Sequence, residues 1–285
     1  MEFVIYECTL LGSFLILAWA LNLTLGYGGL LNLGIVGTMS VGAYAHVLLQ
    51  RHTALPFALT LGAALAAAGV AGFLLALLTR RIRKDEFQVF TLAFLYAVYA
   101  VALGWDSLTR GPLGFAGIRR PLTFRSDEMY FLLVSLLTLT AGLAAWRVVR
   151  SPFGRLLEAS RDDEQAVLSL GKDPVGAKMK VFVCASALSG LAGALVASQL
   201  RYIDPGTFYL HSLLFAIAMV LVGGLASLKG TLIGGSAVFL LPLLLRFLPL
   251  PAQYLGPLRA IFFSLILLAF VLYKPKGLMG RVEVE

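Results

Sequence analysis

The sequence predicts an all-α, polytopic membrane protein of about eight or nine transmembrane helices. Three observations carry that reading: 59% of the 285 residues are hydrophobic, only 13% are charged, and the apolar runs approach the roughly 20 residues that cross a hydrocarbon core. A soluble chain of this length carries far more charge and much shorter apolar runs.

Nine candidate spans follow in order: about 8 to 25, 28 to 49, 54 to 78, 87 to 104, 129 to 149, 180 to 200, 212 to 228, 230 to 248 and 258 to 273. The N-terminus carries Glu2 and Glu7 but no Lys or Arg, so it lacks the basic start of a signal peptide and reads as the beginning of the first retained span. The second span is unusually polar, with Asn22 and Asn32 near Gly26, Gly28, Gly29, Gly34, Gly37 and Gly42, which points to a broken or re-entrant helix. No repeat of 20 to 50 residues, low-complexity linker or soluble domain interrupts the pattern, so residues 1–285 read as a single transmembrane domain.

The net charge of +8 sits in short segments between spans, such as Arg80, Arg81, Arg83 and Lys84, with no basic soluble domain to hold nucleic acid. With the N-terminus outside, the inner segments hold 15 of the 23 Lys and Arg, leaving 8 outside, even though the outer loop 105 to 128 carries Arg110, Arg119, Arg120 and Arg125. Positive charge on the inner side then places the C-terminus in the cytoplasm.

Small residues recur at packing intervals. Ser186, Gly190, Ala194 and Ser198 share one helical face, flanked by Ser189, Gly193 and Ala197, and Gly34, Thr38 and Gly42 form a similar row. Close helix packing accounts for these rows, and for Gly223 and Gly224, without any ligand; the alternative is a small-residue face along a translocation path.

Catalysis finds no support. GGLASLKGT, from Gly223 to Thr231, has Lys before Gly where a phosphate-binding loop needs Gly-Lys-Ser/Thr, so it reads as a tight turn between spans. His46, His52 and His211 lack metal-ligand spacing, and Cys8 and Cys184 behave as small hydrophobes inside spans. The sequence therefore implies no metal and no cofactor of its own. Charged residues inside spans are nearly absent, Glu7 and Arg246 excepted, which argues against a proton- or sodium-coupled secondary transporter.

The segment from about 151 to 178 stands apart. Ser151 and Pro152 make a good helix start, Gly171 supplies a stop, and Asp173 with Pro174 restarts a helix leading into the next span. Between them Leu156, Leu157, Val167, Leu168 and Leu170 alternate with Glu158, Arg161, Asp162, Asp163 and Glu164, as an amphipathic helix laid into a partner's groove requires. A solvated connector is the plainer account, but it needs no apolar anchors.

Several motifs together resemble a known family, the ABC permeases for branched-chain amino acids, in particular the M-type subunit. RSPFGRLLEASRDDEQAVLSLG, from Arg150 to Gly171, resembles that family's EAA loop, with Glu158, Ala159 and Gly171 at corresponding places and Ser160 where Ala is usual. GYGGLLNLGIVGTMSVGAYA (Gly26 to Ala45), YIDPGTFYLHSLLFAIAMVLVGGLASLKGTLIGG (Tyr202 to Gly235) and YKPKGLMG (Tyr273 to Gly280) are similar to its glycine-rich early span, its outer loop with a paired Gly-Gly segment, and its ending. SLTRGPLGFAGI, from Ser107 to Ile118, fits more loosely.

The resemblance implies half of an importer channel in a bacterial or archaeal plasma (inner) membrane. Implied partners are cytoplasmic ATPase subunits, which alone use ATP, a second permease of the H type and an external solute-binding protein. Glu158, Ala159, Ser160, Arg161, Asp162 and Gly171 become coupling residues on this reading. Relatives of similar build carry urea or short amides, which is the alternative substrate class. For the path itself Asn22, Asn32, Thr38 and Ser40 are candidates, either as bonded packing groups or as contacts for a zwitterion near a helix break.

Overall fold

The computed structural model describes residues 2–53, 55–79, 82, 84–120, 124, 126–244, 261, 264–265, 268 and 277–280. The eighth predicted span past 244, most of the ninth at 258 to 273 and Arg246 lie outside the described residues.

The apolar runs become helices α1 (Glu2–Asn22), α2 (Ile35–His52), α3 (Phe57–Thr79), α4 (Lys84–Gly104), a short α5 (Asp106–Thr109) and α6 (Asp127–Arg150). They are followed by α7 (Pro152–Asp162), α8 (Glu164–Ser169), α9 (Pro174–Leu200), α10 (Leu210–Gly223) and α11 (Leu228–Leu244). Among the described residues six helices are long and apolar enough to cross a membrane, and Leu228–Leu241 is a shorter apolar helix. The chain is thus a helical, multi-pass membrane protein.

Helix α9 stands at the centre, packed against α1, α2 and α3. Lipid tails offer no hydrophobic drive between helices, so close backbone approach must hold them together. The small residues of α9 permit it. A methyl group at Gly190 would sit 2.7 Å from the Ala64 carbonyl of α3, one at Gly42 of α2 would sit 2.7 Å from the Gly190 carbonyl, and one at Gly193 would run into the Met39 carbonyl. Gly34 approaches α4 in the same way, with Thr91 O 2.8 Å from where its Cβ would be. In the α10–α11 hairpin, Gly223 faces Gly230, whose carbonyl would lie 2.6 Å from an added Cβ.

The outward surface is apolar along its length. Leu132, Leu136, Leu139 and Leu143 recur along one face of α6, all exposed, while Trp105 and Trp146 are exposed near helix ends where headgroups lie. Such a stripe is stable against hydrocarbon and costly against water.

Four expectations change in detail. The second span begins at Ile35 rather than 28, because residues 23 to 34 form a five-residue π-turn (Leu23–Tyr27) and an irregular stretch. Lys229 lies inside the first turn of α11 instead of between spans; the connection is 224–227, where Gly224 (φ 107°) and Ala226 (φ 56°) turn the chain. The segment 151–171 is two helices, not one. The loop 105 to 128 carries a short strand β1 (Phe115–Ala116), which pairs antiparallel with β2 (Tyr202–Ile203) after α9, in register Phe115 to Ile203.

The connections gather at two ends. At one, Arg51 lies over the Phe115 ring at 5.2 Å, and buried Arg120 pairs with Asp127, donates to Gln199 Oε1 (2.9 Å) and covers Tyr130. Gln199 also donates to the Tyr6 carbonyl, so the start of α1 belongs to this end. At the other end residues 23–34, 151–173 and 224–227 meet, joined by 277–280 through Leu278 N–H to Val222 O at 2.9 Å.

Candidate functional site

The end that gathers 23–34, 151–173 and 224–227 carries the charged projection. Ser151 caps α7, its Oγ accepting from Gly154 N–H at 3.3 Å, with Pro152 in the first turn. Gly154 makes the corner from α6 possible: a Cβ there would collide with the Val148 and Val149 carbonyls. Leu157 is fully buried and seats α7 against Leu23, Tyr27, Ala145, Ala177, Val181 and Ala226.

Asp163 then breaks the helix. Its Oδ1 accepts from Gln165 N–H (2.9 Å) and Ala166 N–H (3.0 Å), capping a second helix instead of letting the first continue. Val167 is buried under α8, and Glu164 reaches Lys178 on α9 at 2.6 Å. Gly171 ends α8 in the left-handed region (φ 69°), its N–H on the Leu168 carbonyl at 2.9 Å. Asp173 caps α9 through Gly176 N–H.

The five apolar residues of this segment therefore divide. Leu157 and Val167 anchor it to its own chain and Leu156 is half-buried, while Leu168 (49% exposed) and Leu170 (76% exposed) point away with charged neighbours around them. Of the remaining candidates Ala159, Asp162 and Gly171 are exposed, Glu158 and Arg161 are half-buried, and Ser160 is buried with no partner for its Oγ among the described residues.

Arg161 turns inward. Its Nη1 donates to the Gly26 carbonyl at 2.6 Å, and its Nε donates to Asp162 Oδ1 at 2.8 Å. Its stem lies on Gly29, where an added Cβ would be 2.6 Å from Arg161 Cγ; Gly29 also has φ 65°, so two constraints keep a side chain out. Neither contact has a signature in the sequence, since Arg161 and Gly26 are 135 residues apart.

The candidate path residues fare differently from one another. Asn22 is fully buried and fully used: its Nδ2 donates to Thr231 Oγ1 (2.6 Å), Ser227 O (3.3 Å) and Gly224 O (3.4 Å), and its Oδ1 accepts from Ala226 N–H (3.0 Å). It clamps the end of α1 to the α10–α11 turn. Thr38 is buried against Ser189 of α9, their hydroxyls 2.7 Å apart, and Ser40 is buried nearby on α2. Asn32 is also fully buried, yet among the described residues neither its amide oxygen nor its nitrogen has a hydrogen-bond partner. A buried amide without partners costs free energy, so Asn32, unlike the other three path candidates Asn22, Thr38 and Ser40, carries a whole side-chain amide of unspent bonding capacity among the described residues.

The sequence reading missed Lys178, whose ammonium ties α9 to α8, and Arg120, which it counted only as loop charge. Both are basic residues close to a span end, a weak signal at best. Among the described residues no three His, Cys, Asp or Glu side chains converge as metal ligands would.

A family model described as the branched-chain amino acid transport system / permease component matches residues 4–272. The chain is 34% identical over 246 positions to the high-affinity branched-chain amino acid transport system permease protein LivM of Escherichia coli (strain K12), covering 77% of this chain and 58% of that protein. Against its counterpart in Salmonella typhimurium (strain LT2) the identity is 33%, with 75% of this chain and 57% of the relative covered. A probable branched-chain amino acid transport permease protein LivM of Methanocaldococcus jannaschii is 25% identical over 96% of this chain and 92% of its own length. The match thus spans less than two thirds of the two enterobacterial relatives.

Proposed function

The chain belongs to the branched-chain amino acid transport system permease family, and on that premise we propose that it is one transmembrane permease domain of an ATP-driven ABC importer for branched-chain, hydrophobic amino acids. It forms half of the translocation path. A second permease, of the H type, supplies the other half, an external binding protein delivers the solute, and cytoplasmic ATPase subunits drive the cycle. The membrane is a bacterial or archaeal plasma membrane, with the N-terminus outside and the end bearing α7 and α8 in the cytoplasm, as the distribution of Lys and Arg favours.

One observation carries the coupling role. Leu168 and Leu170 stand exposed on a charged two-helix projection whose other large apolar residues are buried, as Leu157 and Val167 are, or half-buried, as Phe153 and Leu156 are. An apolar pair in water, rimmed by charge, is what a partner's groove binds. Ala159, Asp162 and Glu158 lie on or beside that docking face; Gly171 shapes it, and Ser160 and Arg161 act toward the inside. Closure of the ATPase pair pulls the projection and rocks the permease halves between outward-open and inward-open states, and no covalent bond is made in this chain.

Asn32 is the path residue this reading favours, since its buried amide has no partner among the described residues and becomes available to a solute's ammonium or carboxylate when the permease halves rock open. The test is gentle purification of the tagged chain with its copurifying proteins, then ATP-dependent leucine uptake in proteoliposomes made from them. ATPase subunits in the preparation and uptake that stops on ATP depletion are expected. A chain that stays alone in several mild detergents, with uptake indifferent to ATP, overturns the proposal.

A further inference from the structure

We propose that Arg161 is the positioning residue through which movement of the α7–α8 projection reaches the break between α1 and α2; this rests on the coupling role proposed above and names where in the chain the pull arrives. At the end of α1 the chain's own amides close on successive carbonyls: Gly28 N–H on Leu23 O (3.1 Å), Leu30 N–H on Thr24 O (2.9 Å) and Gly29 N–H on Leu25 O (3.1 Å). The next carbonyl, Gly26 O, is taken by the Arg161 guanidinium. A cation at a helix C-terminus also meets the negative end of the helix dipole.

Three further contacts make this a rigid link. The Arg161 stem is pressed on Gly29, so the side chain cannot slide along the break without meeting backbone. Asp162 holds the guanidinium from its other edge, with both Nε and Nη2 2.8 Å from Oδ1. Close against Gly26 stand the Asn22 amide oxygen and the Ala226 N–H, which are bonded to each other and lock the break to the α10–α11 turn. A shift of α7 is therefore handed to α1 and, through Asn22, to α10 and α11. The π-turn and left-handed Gly29, between α1 and α2, are the places where the chain can yield, because their backbone bonds are already irregular.

The test uses the complete transporter in proteoliposomes, with its binding protein and leucine, and reads ATP hydrolysed per leucine imported. Arg161→Met keeps the stem over Gly29 and loses the donor; Arg161→Lys keeps stem, charge and a donor. The expected result is that Arg161→Met retains its ATPase subunits and hydrolyses ATP within about twofold of wild type, yet imports about tenfold less leucine per ATP, the scale of one charge-assisted hydrogen bond. Arg161→Lys recovers most of the loss. A wild-type ratio in Arg161→Met overturns the inference. So does loss of bound ATPase in step with uptake, which would make Arg161 part of the docking face only. Should Arg161→Met fail to accumulate, Gly29→Ala, which displaces the stem but leaves the charge, must raise the same ratio, and a normal ratio there overturns the inference. A wild-type chain that binds no ATPase refutes the coupling role itself, a different outcome from any of these.

Discussion

Replacing Asn22 by alanine should loosen the inner end of α1 by about 3 kcal/mol. The side chain is fully buried, and its two amide protons are shared among Thr231 Oγ1, Ser227 O and Gly224 O while its oxygen serves Ala226 N–H. Two donors fill at most two good bonds, so three hydrogen bonds are lost, each contributing roughly 1 kcal/mol net. Truncation also leaves Ala226 N–H, in a residue 1% exposed, without an acceptor, at a cost of about 1–3 kcal/mol that overlaps the first count. At roughly 2 °C per kcal/mol for a chain of this size, the apparent melting midpoint in mild detergent should fall by about 6 °C. Tryptophan emission is a suitable readout because Trp19 Nε1 donates to Leu228 O at 3.1 Å, within the same joint. A midpoint within about 1 °C of wild type in Asn22→Ala would refute the clamp, and lost uptake with unchanged stability would return Asn22 to the solute path.

Gly190→Ala should cost about 1–3 kcal/mol by overpacking against Ala64 and Ala68, whereas Gly62→Ala, with nothing within 4 Å among the described residues, should be neutral or slightly stabilising; the two melting midpoints compared in one detergent check this. Leu168→Asp combined with Leu170→Asp should leave the melting midpoint unchanged and reduce copurified ATPase by about tenfold or more, as loss of apolar anchors at an interface does. Asn32→Ala removes no side-chain hydrogen bond found among the described residues, so stability and ATPase binding should hold while leucine uptake slows; uptake at the wild-type rate would take it off the path.

Most of the helices were legible because the demand that makes them is local. A run of apolar residues long enough to span hydrocarbon must be helical, since no water is present to satisfy its backbone, and that demand can be read residue by residue. The start of α7 at Ser151 and Pro152 and the stop at Gly171 were legible for the same reason, because a cap is satisfied within three residues of itself. The break at Asp163 lay within reach of the same reasoning, yet the apolar periodicity across it suggested one continuous helix. The glycine-rich stretch announced a break near 26 to 34 without saying what fills it.

The sequence by itself thus determined the class of the protein, its family resemblance, the run of spanning helices and the location of an amphipathic projection. Only the tertiary structure decided that Leu168 and Leu170 face outward while Leu157 and Val167 face in, and that Arg161 closes on Gly26. It alone separated Asn22, with every bond used, from Asn32, whose side chain has none among the described residues. The physical reason is that burial in a membrane is a property of one segment against its solvent, whereas a polar side chain is satisfied by whatever partner the packing brings to it. Those partners, Gly26 for Arg161 and Thr231 for Asn22, are 135 and 209 residues away along the chain, where no local pattern can point to them.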